Sequence, residues 1–186
     1  MSLHEDAVAV LSAWTAPTPA EEALRTEFLE HLGAHDDAML RECVPGHLTA
    51  TTAVLSHDGA RVLLTLHPKA GMWLPMGGHC EVSDDSLGAA ALREAQEESG
   101  IAGLELLPGP LAVDKHAVWC HPPRSWHLDV EYAAVAPPGA EAVISEESLD
   151  LRWFPVDGIP ELSDEATRRL AARGQAALTS GSRAFG

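Results

Sequence analysis

The chain has 186 residues, 46% of them hydrophobic and 22% charged, which suits one globular unit with a modest extension and a proper core. Its formal net charge is −16 and its only lysines are Lys69 and Lys115, so strong affinity for long nucleic acid or an anionic membrane is excluded. No apolar run approaches about 18 residues, which excludes a spanning helix, and no secretory signal is visible. Three cysteines without CxxC spacing fit a reducing compartment, and the expected location is the cytoplasm.

Residues 1–46 read as a helical extension, with residues 47–186 as the main domain. Glu5 to Trp14 mixes apolar and polar residues. Thr18-Pro19-Ala20-Glu21 is a helix start: Thr caps, Pro takes the first helical position and Glu follows three residues after the cap. Leu24, Phe28 and Leu32 recur at helical spacing, and a short helix is expected over Asp36 to Glu42 before Pro45-Gly46. The extension either packs on the main domain or forms a dimer contact.

Leu48 to Leu55 and Arg61 to Leu66 read as a hairpin around Asp58-Gly59. Met72 to Leu74 is a short strand before Pro75. Further strands are expected at Leu104 to Leu107, Leu111 to Val113 and Ala117 to Cys120. From His127 to Val135, Leu128, Val130, Tyr132 and Ala134 alternate with Asp129 and Glu131, the pattern of a half-buried strand. A last strand surrounds Leu151-Arg152-Trp153-Phe154. Pro160 to Leu178 reads as a helix with Leu162, Ala166, Leu170 and Ala171 on one side, and the residues after it as a frayed tail. Strands with helices before, between and after them predict a sheet covered on both sides.

The stretch from Gly77 to Ile101 carries the chemistry. A glycine pair, Gly77-Gly78, enters a loop; a helix follows; Gly100 suits the left-handed position that ends it. Asp85 is the expected helix cap. At 100° per residue Glu94, Glu97 and Glu98 share one face, while Ala91, Leu92 and Ala95 form another that can pack on a sheet. Arg93 stands four residues before Glu97, at ion-pair spacing. Three clustered carboxylates repel one another, and a hard divalent cation with oxygen ligands relieves that repulsion. A solvated acidic face is the plain alternative.

This stretch closely resembles the box that marks the Nudix (MutT-like) hydrolases. Arg93-Glu94-Ala95, Glu97-Glu98, Gly100 and Ile101 match its second half throughout. The first half departs: one extra residue separates Gly78 from Arg93, the early glutamate is replaced by Asp84 or Asp85, and the usual proline is displaced to Pro75. The resemblance covers about residues 47–178. It implies a Nudix fold, an α/β/α sandwich with a mixed sheet, carrying the N-terminal helical extension.

The implied activity is that of a Mg²⁺- or Mn²⁺-dependent pyrophosphohydrolase. It would cleave a phosphoanhydride in a small nucleoside diphosphate-linked substrate. The implied metal ligands are Glu94, Glu97, Glu98 and the Gly77 carbonyl, with Arg93 orienting Glu97. Candidates for the general base are Glu98, Glu146 and Glu147. Asp84 or Glu81 is left for any outer-shell contact if Asp85 caps the helix. Candidate substrate contacts are His79, Arg61 and Arg152. Oligomeric state stays open, with a homodimer implied by the resemblance. The alternative function is a Nudix-like nucleotide-binding module without turnover. A zinc site would need His79-Cys80 and Cys120-His121 to meet, and their spacing matches no common zinc pattern.

Overall fold

The computed structural model describes residues 1–118, 120, 124–145 and 148–182. Glu146, Glu147, Trp119 and His121 therefore lie outside the described residues. The elements are α1 (Leu3–Ala13), α2 (Pro19–Ala34), β1 (His47–Leu55), β2 (Arg61–His67), β3 (Met72–Leu74), β4 (Met76–His79), α3 (Leu87–Ser99), β5 (Glu105–Leu106), β6 (Ala112–Val118), β7 (Ser125–Val135), β8 (Leu151–Pro155) and α4 (Glu165–Ser182).

β1 and β7 form the spine of a mixed sheet. They run parallel over nine residue pairs, from His47↔His127 to Leu55↔Val135. The other edge of β1 is shared: β4 pairs antiparallel with Thr49 to Thr52, and β2 with Val54 and Leu55. β6 and then β5 take the outer edge of β7, while β8 and β3 flank β2. The 47–66 hairpin is formed as expected.

One sheet face carries α3, where the Thr52 hydroxyl donates to the Ala91 carbonyl at 3.0 Å. The opposite face carries α4, whose Leu170 and Ala171 are fully buried with Ala53, Leu55 and Ala133. The sandwich of helix, mixed sheet and helix is thus present. Both faces of β7 are covered, so Asp129 and Glu131 are buried (5% and 4% exposed) rather than solvated. The alternation reported which residues share a face, not whether that face met water.

The N-terminal helices pack on the sheet. Ala7, Leu11, Phe28 and Leu32 share a core with Leu48, Val130, Tyr132 and, from α3, Leu87, Ala90 and Ala91. Thr18 caps α2 as read, accepting from the Glu21 amide at 3.2 Å. Polar contacts clasp the extension to the sandwich. Asp6 accepts from the Leu87 amide at 2.8 Å, Glu21 pairs with Arg173 of α4, and Glu27 with Lys115 of β6.

Other expectations need correction. Residues 36–42 are turns, each closing a single local hydrogen bond, so no helix propagates there. Ala112 to Val118 is one continuous strand, because β7 offers a partner along its whole length. Leu162 is exposed before α4 begins, and α4 continues to Ser182 where a frayed tail was expected.

Candidate active site on the glycine strand and acidic helix

The glycine pair belongs to a strand, not a loop. Gly77 lies opposite Thr51 and Gly78 opposite Ala50 in the antiparallel β1–β4 pairing. Periodicity cannot report a four-residue strand whose two middle residues lack side chains, so β4 left no pattern in the sequence. Both glycines are required by close approach. A Cβ on Gly77 would stand 2.5 Å from the Thr51 hydroxyl. One on Gly78 would stand 2.6 Å from a Glu94 carboxylate oxygen. The bare Gly78 lets the acidic helix face press against backbone, and the bare Gly77 lets β4 lie close on β1.

α3 is capped by Ser86, whose hydroxyl accepts from the Ala89 amide at 3.1 Å; Asp85 does not serve. A short serine hydroxyl at the residue preceding the helix wins over the carboxylate one position earlier. Gly100 ends the helix at φ 66°, as read. Its missing Cβ also admits Val143, which would otherwise approach to 2.8 Å.

Arg93 is the hub of the site. Its Nε and Nη2 donate to the two oxygens of Asp84 at 2.9 and 3.0 Å, a bidentate pair. Nη1 donates to Glu94 at 3.0 Å and Glu97 at 3.1 Å, and Nη2 also donates to the His79 carbonyl at 2.9 Å. The ion pair expected with Glu97 is present, but Arg93 does much more than orient that residue. These carboxylates hold its pKa above the ordinary arginine value, first of all through the hydrogen bonds to Asp84. Burial works to raise the Asp84 carboxyl, but the bonds from Arg93 and the Glu81 amide outweigh it and hold it below the usual aspartate range. Asp84 is therefore spent on Arg93.

The three glutamates are differently held. Glu98 accepts from the Gly77 amide at 3.1 Å, which joins helix to glycine strand. The side chain of Glu94 is 15% exposed and that of Glu97 is 61% exposed. Their oxygens do not all come within 4.8 Å of one another.

The other sequence candidates lie elsewhere. Arg61 stacks over Trp153 at 5.6 Å, while Arg152 pairs with Asp150 at 2.5 Å and stacks over Trp73 at 5.7 Å. Both belong to the β2–β8 part of the sheet. His79 is divided: its carbonyl bonds Arg93, whereas its ring meets the rings of His47 and His127, each at 5.0 Å between centroids.

Sequence reasoning passed over a polar ladder on the α4 face of the sheet. Thr49 donates to Asp129 at 2.9 Å, and Arg169 to Glu131 at 3.1 Å. Burial, and next the Asp129 carboxylate, push Glu131 up to about 8. Burial also raises Asp129. The available signal was His127-x-Asp129-x-Glu131, three ionisable residues at strand period.

An acidic helix docked on a glycine strand, within a mixed sheet covered by helices, defines the class. The NUDIX domain family model matches residues 46–173, and the chain belongs to the Nudix family as a hydrolase. A NUDIX-family hydrolase from Clostridium perfringens is 25% identical, with 72% of this chain and 97% of that one covered at a TM-score of 0.54. A MutT NUDIX hydrolase from Burkholderia pseudomallei is 27% identical, with 69% and 97% covered at 0.52. A C. elegans Ap4A hydrolase, 18% identical with 72% and 98% covered at 0.57, shares the fold. No curated protein matches the chain.

Proposed function

We propose that this hydrolase is a divalent-metal-dependent pyrophosphohydrolase, cleaving a phosphoanhydride bond in a small nucleoside diphosphate-linked substrate. The observation that carries the reading is the joint of Gly77 and Gly78 with Glu98 and Glu94, which brings carboxylates against bare backbone. Such an all-oxygen donor set suits Mg²⁺ or Mn²⁺. Glu94, Glu97, Glu98 and the Gly77 carbonyl would hold it. A bound ion supplies charge neutralisation for the polyphosphate and an acidified water.

The protein's own groups do the rest. Arg93 positions Glu94 and Glu97 through one nitrogen while Asp84 fixes its fork. Glu98 is the base candidate within the described residues, and its bond to the Gly77 amide orients it. Arg61 and Arg152 remain proposed substrate contacts, whereas the His79 ring is turned to His47 and His127 and its carbonyl to Arg93. No helix among the described residues is long and apolar enough to cross a membrane. A solved fold neighbour named as an Ap4A hydrolase makes dinucleoside polyphosphates a natural member of the test panel.

The test is product release from nucleoside triphosphates, ADP-ribose, nucleotide sugars, dinucleoside polyphosphates and coenzyme A. It is run with Mg²⁺, with Mn²⁺ and with chelator, beside Glu97→Gln and Glu98→Gln. Metal-dependent turnover of one class, reduced at least about 10²-fold in the variants, is expected. Tight nucleotide binding with no turnover of any compound would instead identify a binding module.

A further inference from the structure

Four side chains, three of them outside the box, converge at the far end of the glycine strand. His47 opens β1, His79 closes β4, His127 lies near the start of β7 and Cys120 stands in the β6–β7 connection. Strand register makes the meeting. His47 and His127 are direct partners across β1 and β7, and His79 faces Thr49, two residues along β1 from His47. Alternate residues of a strand share a face, so the three imidazoles rise from the same side. This is why spacing along the chain revealed no pattern: each ligand comes from a different element.

The geometry suits a small cation. One donor atom from each residue lies within 4.8 Å of all the others. Cys120 Sγ is 3.6 Å from His127 Nε2 and 3.8 Å from His79 Nε2. Tetrahedral zinc, with bonds of about 2.3 Å to sulfur and about 2.0–2.1 Å to nitrogen, has an S···N edge of roughly 3.6 Å. The ring centroids of His47 and His127 are 4.9 Å apart, and His79 stands 5.0 Å from each. A neutral imidazole ligates metal through a ring nitrogen, and a thiol through its thiolate.

The geometry points to a structural zinc site formed by His47, His79, Cys120 and His127. It stands whether or not the pyrophosphohydrolase reading does, because it uses none of the box carboxylates. One thiolate and three imidazoles select a borderline-soft ion over Mg²⁺. Four protein ligands leave no open position for a reacting water, the mark of a structural centre. Binding releases the Cys120 thiol proton to solvent. The ion ties the start of β1, the end of β4, the start of β7 and the β6–β7 connection at one point. Because the His79 carbonyl accepts from Arg93, it also braces the strand that carries Gly77 and Gly78.

The test uses the full chain, stripped with chelator, in excess Mg²⁺, and titrated with Zn²⁺ against a chromophoric competitor. One zinc ion per chain is expected. Cys120→Ser and His127→Gln, both at partly exposed positions, should each weaken binding more than about 100-fold, beyond the loss of an outer-shell partner. Glu98→Gln should bind zinc as the parent does. Co²⁺ in place of Zn²⁺ should give a thiolate-to-metal charge-transfer band that Cys120→Ser lacks, a readout independent of turnover. Failure of the parent to retain zinc against the competitor would overturn the site. So would zinc that survives both ligand substitutions, or zinc lost in Glu98→Gln.

Discussion

β4 separates two sites built on opposite electrostatic plans. On the α3 side, Glu94, Glu97, Glu98 and Asp84 are anionic, and one arginine reaches three of them. On the other side, His47, His79, His127 and Cys120 form a half-buried cluster of nitrogen and sulfur donors. In the proposed reading the first would offer hard oxygen to an exchangeable ion beside a phosphate chain, and the second nitrogen and sulfur to an ion that stays. Four residues of strand connect them, and His79 belongs to both: its carbonyl to the acidic site, its ring to the histidine cluster. Donor type therefore decides what each site can hold, while the shared strand decides that they are neighbours.

The two sites should respond most differently to substitution at Gly78, which abuts Glu94. Gly78→Ala should lower turnover by about 10²-fold by displacing Glu94, as a misplacement of about 1 Å can. Zinc content, read by metal analysis of the same sample, should not change. Equal loss of both would show the two sites to be one.

Asp84→Asn tests whether the acidic site depends on its internal cation clamp. Asp84 has a nearly buried side chain, whereas Arg93 keeps Glu94 and Glu97. A loss of about 2–3 kcal/mol in urea unfolding is expected, below the usual cost of breaking a fully buried pair. The Asp84 carboxyl is held below its ordinary range, so its contribution is complete above that range and is lost as pH falls through the folded value. The difference between parent and Asp84→Asn should therefore shrink in acid.

Glu131, on the same sheet face as the histidine cluster, has the opposite sign. Between about pH 4.5 and about 8 the unfolded chain ionises this group and the folded chain does not, so folded stability falls as pH rises. Glu131→Gln should flatten that slope and gain of order 1–3 kcal/mol near pH 8, measured by thermal unfolding across the window. A parent whose stability rises through this range would refute the assignment.

The smallest effect is expected from the extension. Asp6→Ala removes the acceptor of the Leu87 amide at the start of the acidic helix. A loss of about 1 kcal/mol is expected, as for other helix caps, with turnover nearly intact. A large fall in turnover would mean that α1 sets the pose of the glutamates.

The sequence by itself determined the parts whose physics is local. Helical periodicity put Glu94, Glu97 and Glu98 together, Gly100 marked the helix end, Thr18-Pro19 marked a helix start, and Asp58-Gly59 marked the hairpin. Each depends on neighbours within a few residues, where spacing along the chain is distance in space. The tertiary structure alone decided the rest. It paired Asp84 with Arg93, made a strand of two glycines, buried Asp129 and Glu131 beneath α4, and placed Asp6 on the acidic helix. It also gathered His47, His79, Cys120 and His127, residues spread over 81 positions of sequence, at one end of three strands. Register between strands is set by side chains packing across the whole sheet, and no local pattern records it.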